Sequence, residues 1–368
     1  MPISSVRPSR ILPLVVALSL CLVALLLQAQ SSPAPSGSQQ PSSNQQSGNG
    51  AQSSSGQSGS AEQPSDQQPV ATFKASANIV QIFYNVKDKH GTLIPNLTKD
   101  DFTIAEDGKP QTIKYFAAES NLPLTLGIMI DSSGSQRNVL DMEKEVGGAF
   151  LKQILTDKDE AYVISFDISV DLLQDFTRDT HRLQAALNKA KINVDFSSGG
   201  IPGMGGGPVP TQNAPGTLLY DAVYLSSHDM LSKEVGRKAM ILLTDGQDEG
   251  SRLKLQDAAE AAQKADAIVY VLLCADRGFY GGFGYSGEYD MRKLTEQTGG
   301  RVINVGNKFD KLRDAFDQIA SELRSQYNIG YTSTNTKMDG SYRKIEIRSK
   351  QNYKIQARAG YYAGAAED

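Results

Sequence analysis

Oxygen-bearing side chains follow two apolar segments of this sequence, and another begins a helical segment between them. The residues concerned are Asp131, Ser133, Ser135, Thr217 and Asp245. Carboxylates and hydroxyls are the groups that hard divalent cations bind. Because only Asp131 and Asp245 carry a charge, a cation held by this set would remain electropositive and would attract an acidic group of a partner. The set therefore predicts a divalent-cation site, with Mg²⁺ expected and Mn²⁺ or Ca²⁺ as alternatives.

Other kinds of metal chemistry are excluded by composition. The 368 residues include two Cys and three His, too few for a Cys-rich zinc or iron–sulfur site or for a three-His site. Of the two thiols, Cys274 ends an apolar segment, and we expect it to be buried and inert. Acidic residues outnumber basic ones by 41 to 37, and this balance argues against general binding of nucleic acid.

The first seventy residues differ in composition from the rest of the chain. Residues 1–30 combine Arg7, Arg10 and a long apolar run with the small residue Ala29, as an export signal does. The run is also long enough to leave an uncleaved membrane anchor open. Residues 31–70, rich in Ser, Gln, Gly and Pro, are expected to form a disordered linker. The protein is therefore expected outside the cytoplasm (periplasmic, in the cell envelope or secreted), touching a membrane only through the first segment.

The middle of the chain alternates apolar and amphipathic segments. Strands are predicted at 124–130, 161–166, 170–176, 239–243, 267–274 and 302–305, and helices at 138–155, 180–191, 217–231, 254–265, 289–297 and 309–325. This alternation predicts an α/β fold with a doubly wound, mainly parallel sheet. The two strands around Asp167 are too closely connected to be parallel, so one edge strand should be antiparallel. The oxygen-bearing residues then lie beyond the carboxyl ends of strands, where such sheets bind ligands.

Both flanks of this region are rich in β-forming residues. Strand-like segments lie at 79–86, 101–105, 111–117, 327–331, 342–348 and 353–358. Neither flank is large enough to bury a core of its own easily. We therefore expect residues 71–120 and 326–363 to pair into one small β module that flanks an α/β domain at 121–325.

The order Asp131-x-Ser133-x-Ser135, Thr217, Asp245 resembles the metal-ion-dependent adhesion site of von Willebrand factor A (VWA) domains over about residues 122–325. The resemblance implies a Rossmann-like VWA domain in which these residues hold a divalent cation directly or through water. The flanks resemble bacterial "VWFA-related" proteins of acidobacterial type, a subfamily with little known function. The segments that carry this second resemblance are Asp101-Phe102, Glu106-Asp107-Gly108-Lys109-Pro110-Gln111 and Ala357-Arg358-Ala359-Gly360-Tyr361.

Three functions are consistent with the sequence. The first is an exported, non-enzymatic protein-binding module for adhesion or assembly, whose cation captures an Asp or Glu of a protein partner. The second is a metal-dependent hydrolase at the same edge, although no histidine, Asp-x-Asp or Gly-x-Ser-x-Gly nucleophile accompanies the motif. The third is a structural envelope component that uses the β module, with a metal that only stabilises the fold.

Two loops are expected on the face that carries the site. Residues 197–215 are rich in Gly and Pro and precede Thr217, whereas residues 277–290 contain several aromatic residues, Tyr289 among them. Aromatic residues in an exposed loop form a contact surface or fold back on the domain, and both interpretations stay open. Asp248 and Glu249 either tune the site or belong to an exposed acidic loop.

Overall fold

The computed structural model describes residues 79–118, 122–192, 216–274 and 287–364. The predicted export segment and the predicted linker lie outside these residues, as do the whole loop 197–215 and most of the loop 277–290. None of the helices in the described ranges combines the length and the apolar character that crossing a bilayer requires.

The described residues form fourteen β-strands and six α-helices. The strands are β1 (Ile79–Lys87), β2 (Phe102–Glu106), β3 (Lys109–Gln111), β4 (Ile113–Ala117), β5 (Leu124–Asp131), β6 (Glu160–Phe166), β7 (Val170–Thr177), β8 (Arg237–Thr244), β9 (Ala267–Leu273), β10 (Val302–Asn304), β11 (Tyr327–Thr332), β12 (Tyr342–Ser349), β13 (Lys354–Ala357) and β14 (Gly360–Tyr362). The helices are α1 (Leu140–Ile154), α2 (Thr180–Leu187), α3 (Leu219–Leu225), α4 (Leu255–Lys264), α5 (Gly287–Thr298) and α6 (Phe309–Arg324). Short 3₁₀ turns lie at Lys99–Asp101, Gly134–Gln136 and Leu231–Lys233.

The central sheet has the strand order β10-β9-β8-β5-β6-β7 among the described residues. Its neighbours pair in parallel, except that β7 runs antiparallel to β6 at the edge. Every residue of β5 is buried, as expected for a central strand that is covered on both faces. The predicted doubly wound, mainly parallel α/β fold with one antiparallel edge strand is therefore confirmed.

Helices cover both faces of this sheet. On one face α1, α2 and α6 bury side chains such as Phe150, Leu183 and Phe316, and the rings of Phe150 and Phe316 lie 4.5 Å apart. On the other face α3, α4 and α5 bury Val223 and Leu294 with the neighbouring apolar residues of the sheet. Successive residues of a strand point to opposite faces, so β5 contributes to both cores.

The strands of the two flanks pair with each other, as predicted for the small β module. β1 and β4 from the first flank pair with β11 from the second, and β13 pairs with β1. In a separate sheet, β12 pairs with β2 and β14, and β2 pairs with β3. Aromatic rings of Tyr84, Phe102 and Tyr327 lie between these strands in a core of their own.

Some element boundaries differ from the sequence-based expectation. The segment predicted as one strand at 111–117 is divided, because β3 pairs with β2 whereas β4 pairs with β11 in the other sheet. The helix predicted at 217–231 ends as an α-helix at Leu225 and continues as a π-helical turn, Ser226–Met230. β14 was not predicted, because a three-residue segment that pairs only with β12 has no periodic pattern of its own.

Candidate metal centre

The two predicted carboxylates lie at the ends of neighbouring parallel strands. Asp131 is the last residue of β5, and Asp245 directly follows Thr244, the last residue of β8. The two strands are in register up to the pair Ile130–Leu243, so both carboxylates reach the same edge of the sheet. They are almost completely buried, with 0% and 1% of their surfaces exposed. Two acidic side chains therefore share one enclosed position.

Asp131 is held by hydrogen bonds from neutral groups. The backbone N–H of Ser133 donates to Oδ1 at 2.9 Å, and the hydroxyl of Thr244 donates to Oδ2 at 2.6 Å. Burial, followed by the nearby charge of Asp245, raises the pKa of Asp131 to about 7, although its hydrogen bonds favour the ionised form. A cation beside Asp131 would stabilise its ionised form, because a positive charge offsets both the burial of the carboxylate and its repulsion by Asp245.

The predicted hydroxyl ligands lie in the turn that follows β5. Ser133 and Ser135 approach each other with 3.0 Å between their hydroxyl oxygens, and Ser135 lies in the 3₁₀ turn. The hydrogen bond from the Ser133 N–H to Asp131 fixes the start of this turn. Two hydroxyls and one carboxylate of the motif are therefore brought together by local structure.

Thr217 reaches the same edge through backbone contacts. Its N–H donates to the carbonyl of Glu249 at 2.9 Å, four residues after Asp245. The next N–H, that of Leu218, donates at 2.7 Å to the carbonyl of Asp167, which follows β6. The carboxylate of Asp167 in turn accepts a 3.0 Å hydrogen bond from the hydroxyl of Ser132. The structure thus places all five predicted residues at one edge of the sheet.

Two residues at this edge received no role in the sequence-based prediction. Thr244 is the polar last residue of an otherwise apolar strand, and that contrast is the signal by which it could have been found. Asp167 is only 9% exposed and supports the Ser132–Ser133 segment from the neighbouring strand. Its sequence context is an ordinary turn, so no local pattern identifies it.

The acidic residues after Asp245 have different positions. Asp248 is partly buried, and its carboxylate accepts from the N–H of Tyr220 at 3.1 Å near the start of α3. Glu249 is exposed and contacts Thr217 through backbone groups. Tyr289 is the aromatic residue of the loop 277–290 that the structure describes, and 75% of its surface is exposed.

The turn after β8 is tightly packed. Gly246 has a φ of +80°, and a Cβ atom there would lie 2.9 Å from Cγ of Met291 and 3.1 Å from the carbonyl oxygen of Gly287. A side chain at this position would therefore require both an unfavourable backbone conformation and a shift of α5. This packing holds the backbone beside Asp245.

A third carboxyl group lies close to the two aspartates. Glu143 of α1 is completely buried, and both of its oxygens lack a well-formed hydrogen bond. Burial raises the pKa of Glu143 to about 8. A contact with the Cys274 thiol lowers this pKa, whereas the charges of Asp131 and Asp245 raise it further. Cys274 is buried, as predicted, and burial raises the pKa of its thiol well above the ordinary value.

The chemistry of the donor set fits a hard divalent cation. The groups at this edge are carboxylate and hydroxyl oxygens, which Mg²⁺ and similar ions bind. Within the described ranges no three or more His, Cys, Asp and Glu side chains are grouped as a metal cage. A cation at this edge would accordingly depend on the two aspartates together with neutral oxygens.

No family model matches this sequence, and no curated protein matches it. Among solved structures, the chain is similar to the conserved hypothetical protein BatB from Bacteroides thetaiotaomicron (18% identity, 55% of this chain and 100% of that chain, TM-score 0.41). It is also similar to the vWF domain of the type V pili tip protein Mfa5 from Porphyromonas gingivalis (12% identity, 55% and 95%, TM-score 0.41). A third similar structure is proximal thread matrix protein 1 from the mussel byssus with a zinc-occupied MIDAS motif (14% identity, 60% and 50%, TM-score 0.43). The α/β fold is established independently by the strand order and the two helix layers.

Proposed function

We propose that this chain is an exported, non-enzymatic binding module for adhesion or assembly, which captures an Asp or Glu of a protein partner through a divalent cation. Asp131, Ser133, Ser135, Thr217 and Asp245 would hold the cation, directly or through water. The observation that carries the proposal is the pair of buried carboxylates, Asp131 and Asp245, at the ends of adjacent parallel strands. The resemblance of the motif to the VWA metal site supports the same assignment.

Electrostatics explains why the site would recruit a partner's carboxylate. Two ionised aspartates in an enclosed position repel each other, and a divalent cation removes that repulsion. The remaining ligands are hydroxyls, which do not neutralise the cation further. When bound, the cation supplies a positive centre to which a carboxylate oxygen of a partner can add. Thr244 and Ser133 hold Asp131 in place for this role through their hydrogen bonds.

Binding is favoured over catalysis by the groups around the site. His90, His181 and His228 are all exposed, and none of their described hydrogen bonds reaches the five residues. Ser133 and Ser135 contact each other, and none of the described histidines, which could act as a general base, is hydrogen-bonded to either hydroxyl. Nucleophilic catalysis needs such a base beside the hydroxyl.

The location outside the cytoplasm is part of this proposal. The positively charged and apolar segment near the N-terminus supports it. The polar stretch 31–70 would separate the folded part from the envelope surface.

Metal binding tests the first half of the proposal. Titration calorimetry with Mg²⁺ and Mn²⁺ should show saturable binding to the full chain and to Asp314→Asn, an exposed position on α6. Asp131→Asn should abolish it, because the substitution removes one of the two charges at the site. Equal binding by Asp131→Asn and the full chain would refute the assignment of Asp131.

Partner capture tests the second half. Affinity capture from an envelope extract should recover a partner with Mg²⁺ present, and lose it with a chelator or with Asp131→Asn. Replacing the acidic residues of the recovered partner one at a time should then abolish binding at one position. A partner that binds equally with and without chelator would contradict metal-dependent capture, and Mg²⁺-dependent turnover of an ester or phosphate substrate would favour a hydrolase.

A further inference from the structure

A large cleft lies between the β module and the α/β domain, away from the candidate metal centre. It has a volume of about 950 Å³, within the range of small-molecule sites. The end of β1, strand β13 and the helices α5 and α6 contribute to its lining. Gly300 and Arg301, which precede β10, also line it, so the cleft lies at the amino ends of the parallel strands. None of the five predicted metal ligands belongs to this cleft.

Two cations share one carboxylate among the residues that line the cleft. The ammonium group of Lys87 lies 2.8 Å from Oε1 of Glu322, and the guanidinium of Arg301 lies 2.7 Å from the same oxygen. Gln356 accepts a 2.8 Å hydrogen bond from Lys87 and donates one of 3.1 Å to Oε2 of Glu322. The side chains of Lys87 and Glu322 are only 11% and 3% exposed. The cluster therefore carries one uncompensated positive charge in a poorly solvated position.

The pKa of Lys87 is lowered mainly because the ammonium group is buried. The charges of Arg301 and Lys354 lower it further, against the opposite effect of Glu322. An ammonium group has three N–H donors, and the described contacts of Lys87 use two of them. Arg301 likewise has more donors than its bonds to Glu322 and Gln318 require. Both cations thus retain hydrogen-bonding capacity.

We propose that this cleft binds a small molecule through an oxyanion group, a carboxylate or a phosphate, held by Lys87 and Arg301. Lys354 and Lys89 are exposed lining residues and make no ion pair with the described part of the chain, so they add to the attraction. Asp88, Glu296 and Asp317 also line the cleft, and their charges disfavour a polyanion. The ligand therefore carries one anionic group, together with hydroxyl or amine groups that can donate to these carboxylates.

Direct binding of two simple anions distinguishes the carboxylate from the phosphate. Inorganic phosphate and lactate are each titrated into the full chain at low ionic strength by calorimetry, and we expect saturable binding of one of them. Arg301→Gln should weaken that binding about tenfold or more, because it removes a charged donor. Lys354→Gln, at an exposed position, should weaken it by about two- to fivefold. Lys189→Gln, an exposed lysine outside the cleft, should leave it unchanged.

A charge added to the cleft gives a test that leaves the cluster intact. Ser321 is an exposed residue of α6 that lines the cleft, and Ser321→Asp should weaken binding without removing any cation. If circular dichroism shows that Arg301→Gln does not fold, the proposal is tested with Ser321→Asp and Lys354→Gln instead. The proposal is overturned if neither anion binds the full chain, or if the folded cleft variants bind as tightly as Lys189→Gln. Because Asp131→Asn leaves the cleft intact, it should bind the anion normally even if metal binding is lost.

Discussion

The hydroxyl of Thr244 at the end of β8 donates a 2.6 Å hydrogen bond to Oδ2 of Asp131 at the end of β5. The same hydroxyl accepts a 3.0 Å hydrogen bond from the N–H of Gly246, the residue after Asp245. One buried side chain therefore connects the backbone beside one carboxylate to the other carboxylate. The geometry of the candidate metal centre depends on this contact between neighbouring strands.

Replacing Thr244 tests that dependence. Thr244→Val keeps the size of the side chain but removes the hydroxyl, so Asp131 and the N–H of Gly246 each lose a partner. We expect Mg²⁺ affinity to fall by about 10- to 100-fold, as is found for groups that orient metal ligands. Thr244→Ser retains the hydroxyl and should bind nearly as the unmodified chain does. Calorimetric titration measures both, and equal affinities for Val and Ser would show that the hydroxyl has no orienting role.

The buried carboxyl of Glu143 predicts a dependence of stability on pH. Its pKa of about 8 in the folded state lies above the ordinary value of about 4.3, so the folded state holds this proton where the unfolded state has lost it. The contribution of Glu143 to stability is therefore fully present below about pH 4 and is lost as the pH rises to about 8. Glu143→Gln cannot ionise and should be more stable than the unmodified chain at pH 9, by on the order of 1–3 kcal/mol.

Urea unfolding in metal-free buffer at pH 5, 7 and 9 measures this effect. Glu145→Gln, on the exposed side of the same helix, is the matched control and should follow the unmodified chain. The raised pKa of Asp131 acts in the same direction, so Glu143→Gln should reduce the pH dependence without abolishing it. An unchanged dependence in Glu143→Gln would contradict the assignment.

The turn at Gly246 should be sensitive to a single added carbon atom. Gly246→Ala combines a positive φ with contacts of 2.9 and 3.1 Å to the beginning of α5, and should destabilise the fold by about 1–3 kcal/mol. Because Asp245 precedes it, Mg²⁺ affinity should fall as well. Gly108→Ala is the control, since its φ is +77° and nothing lies within 4 Å of the added atom. Thermal unfolding and metal titration of both variants distinguish two causes of destabilisation, the unfavourable positive φ and the close contact with α5. Equal losses in both variants would show that contact with α5 is unimportant.

The β module depends on one buried ion pair. Glu106 and Arg343 are each 2% exposed, and Glu106 also accepts hydrogen bonds from the hydroxyls of Tyr331, Tyr361 and Ser333. Arg343→Met leaves the carboxylate buried without a cation, so urea unfolding should show a loss of about 3–5 kcal/mol. The double variant with Glu106→Gln should lose less than the sum of the single losses. Additive losses would mean that the two side chains do not interact.

The local pattern was sufficient to predict the α/β fold. β5 is buried on both faces and is recognised as a continuous apolar segment. α1 is buried on one face and is recognised by apolar residues at helical spacing. The turn after β5 could also be predicted, since Asp131, Ser133 and Ser135 follow one another at intervals of two residues. The same reasoning did not divide the segment 111–117 between two sheets, because the partner of each strand, β2 or β11, is a distant part of the chain.

By itself, the sequence determined which residues offer oxygen ligands and that Asp131 and Asp245 lie at the ends of strands, because alternation and spacing are local properties. Only the tertiary structure decided that Thr244 holds Asp131, across 113 positions of the chain, and that Glu143 is buried near both aspartates. It alone brought Lys87 to Glu322, which is 235 positions away. Contacts at such separations depend on how strands and helices pack around a common core. No local pattern encodes them.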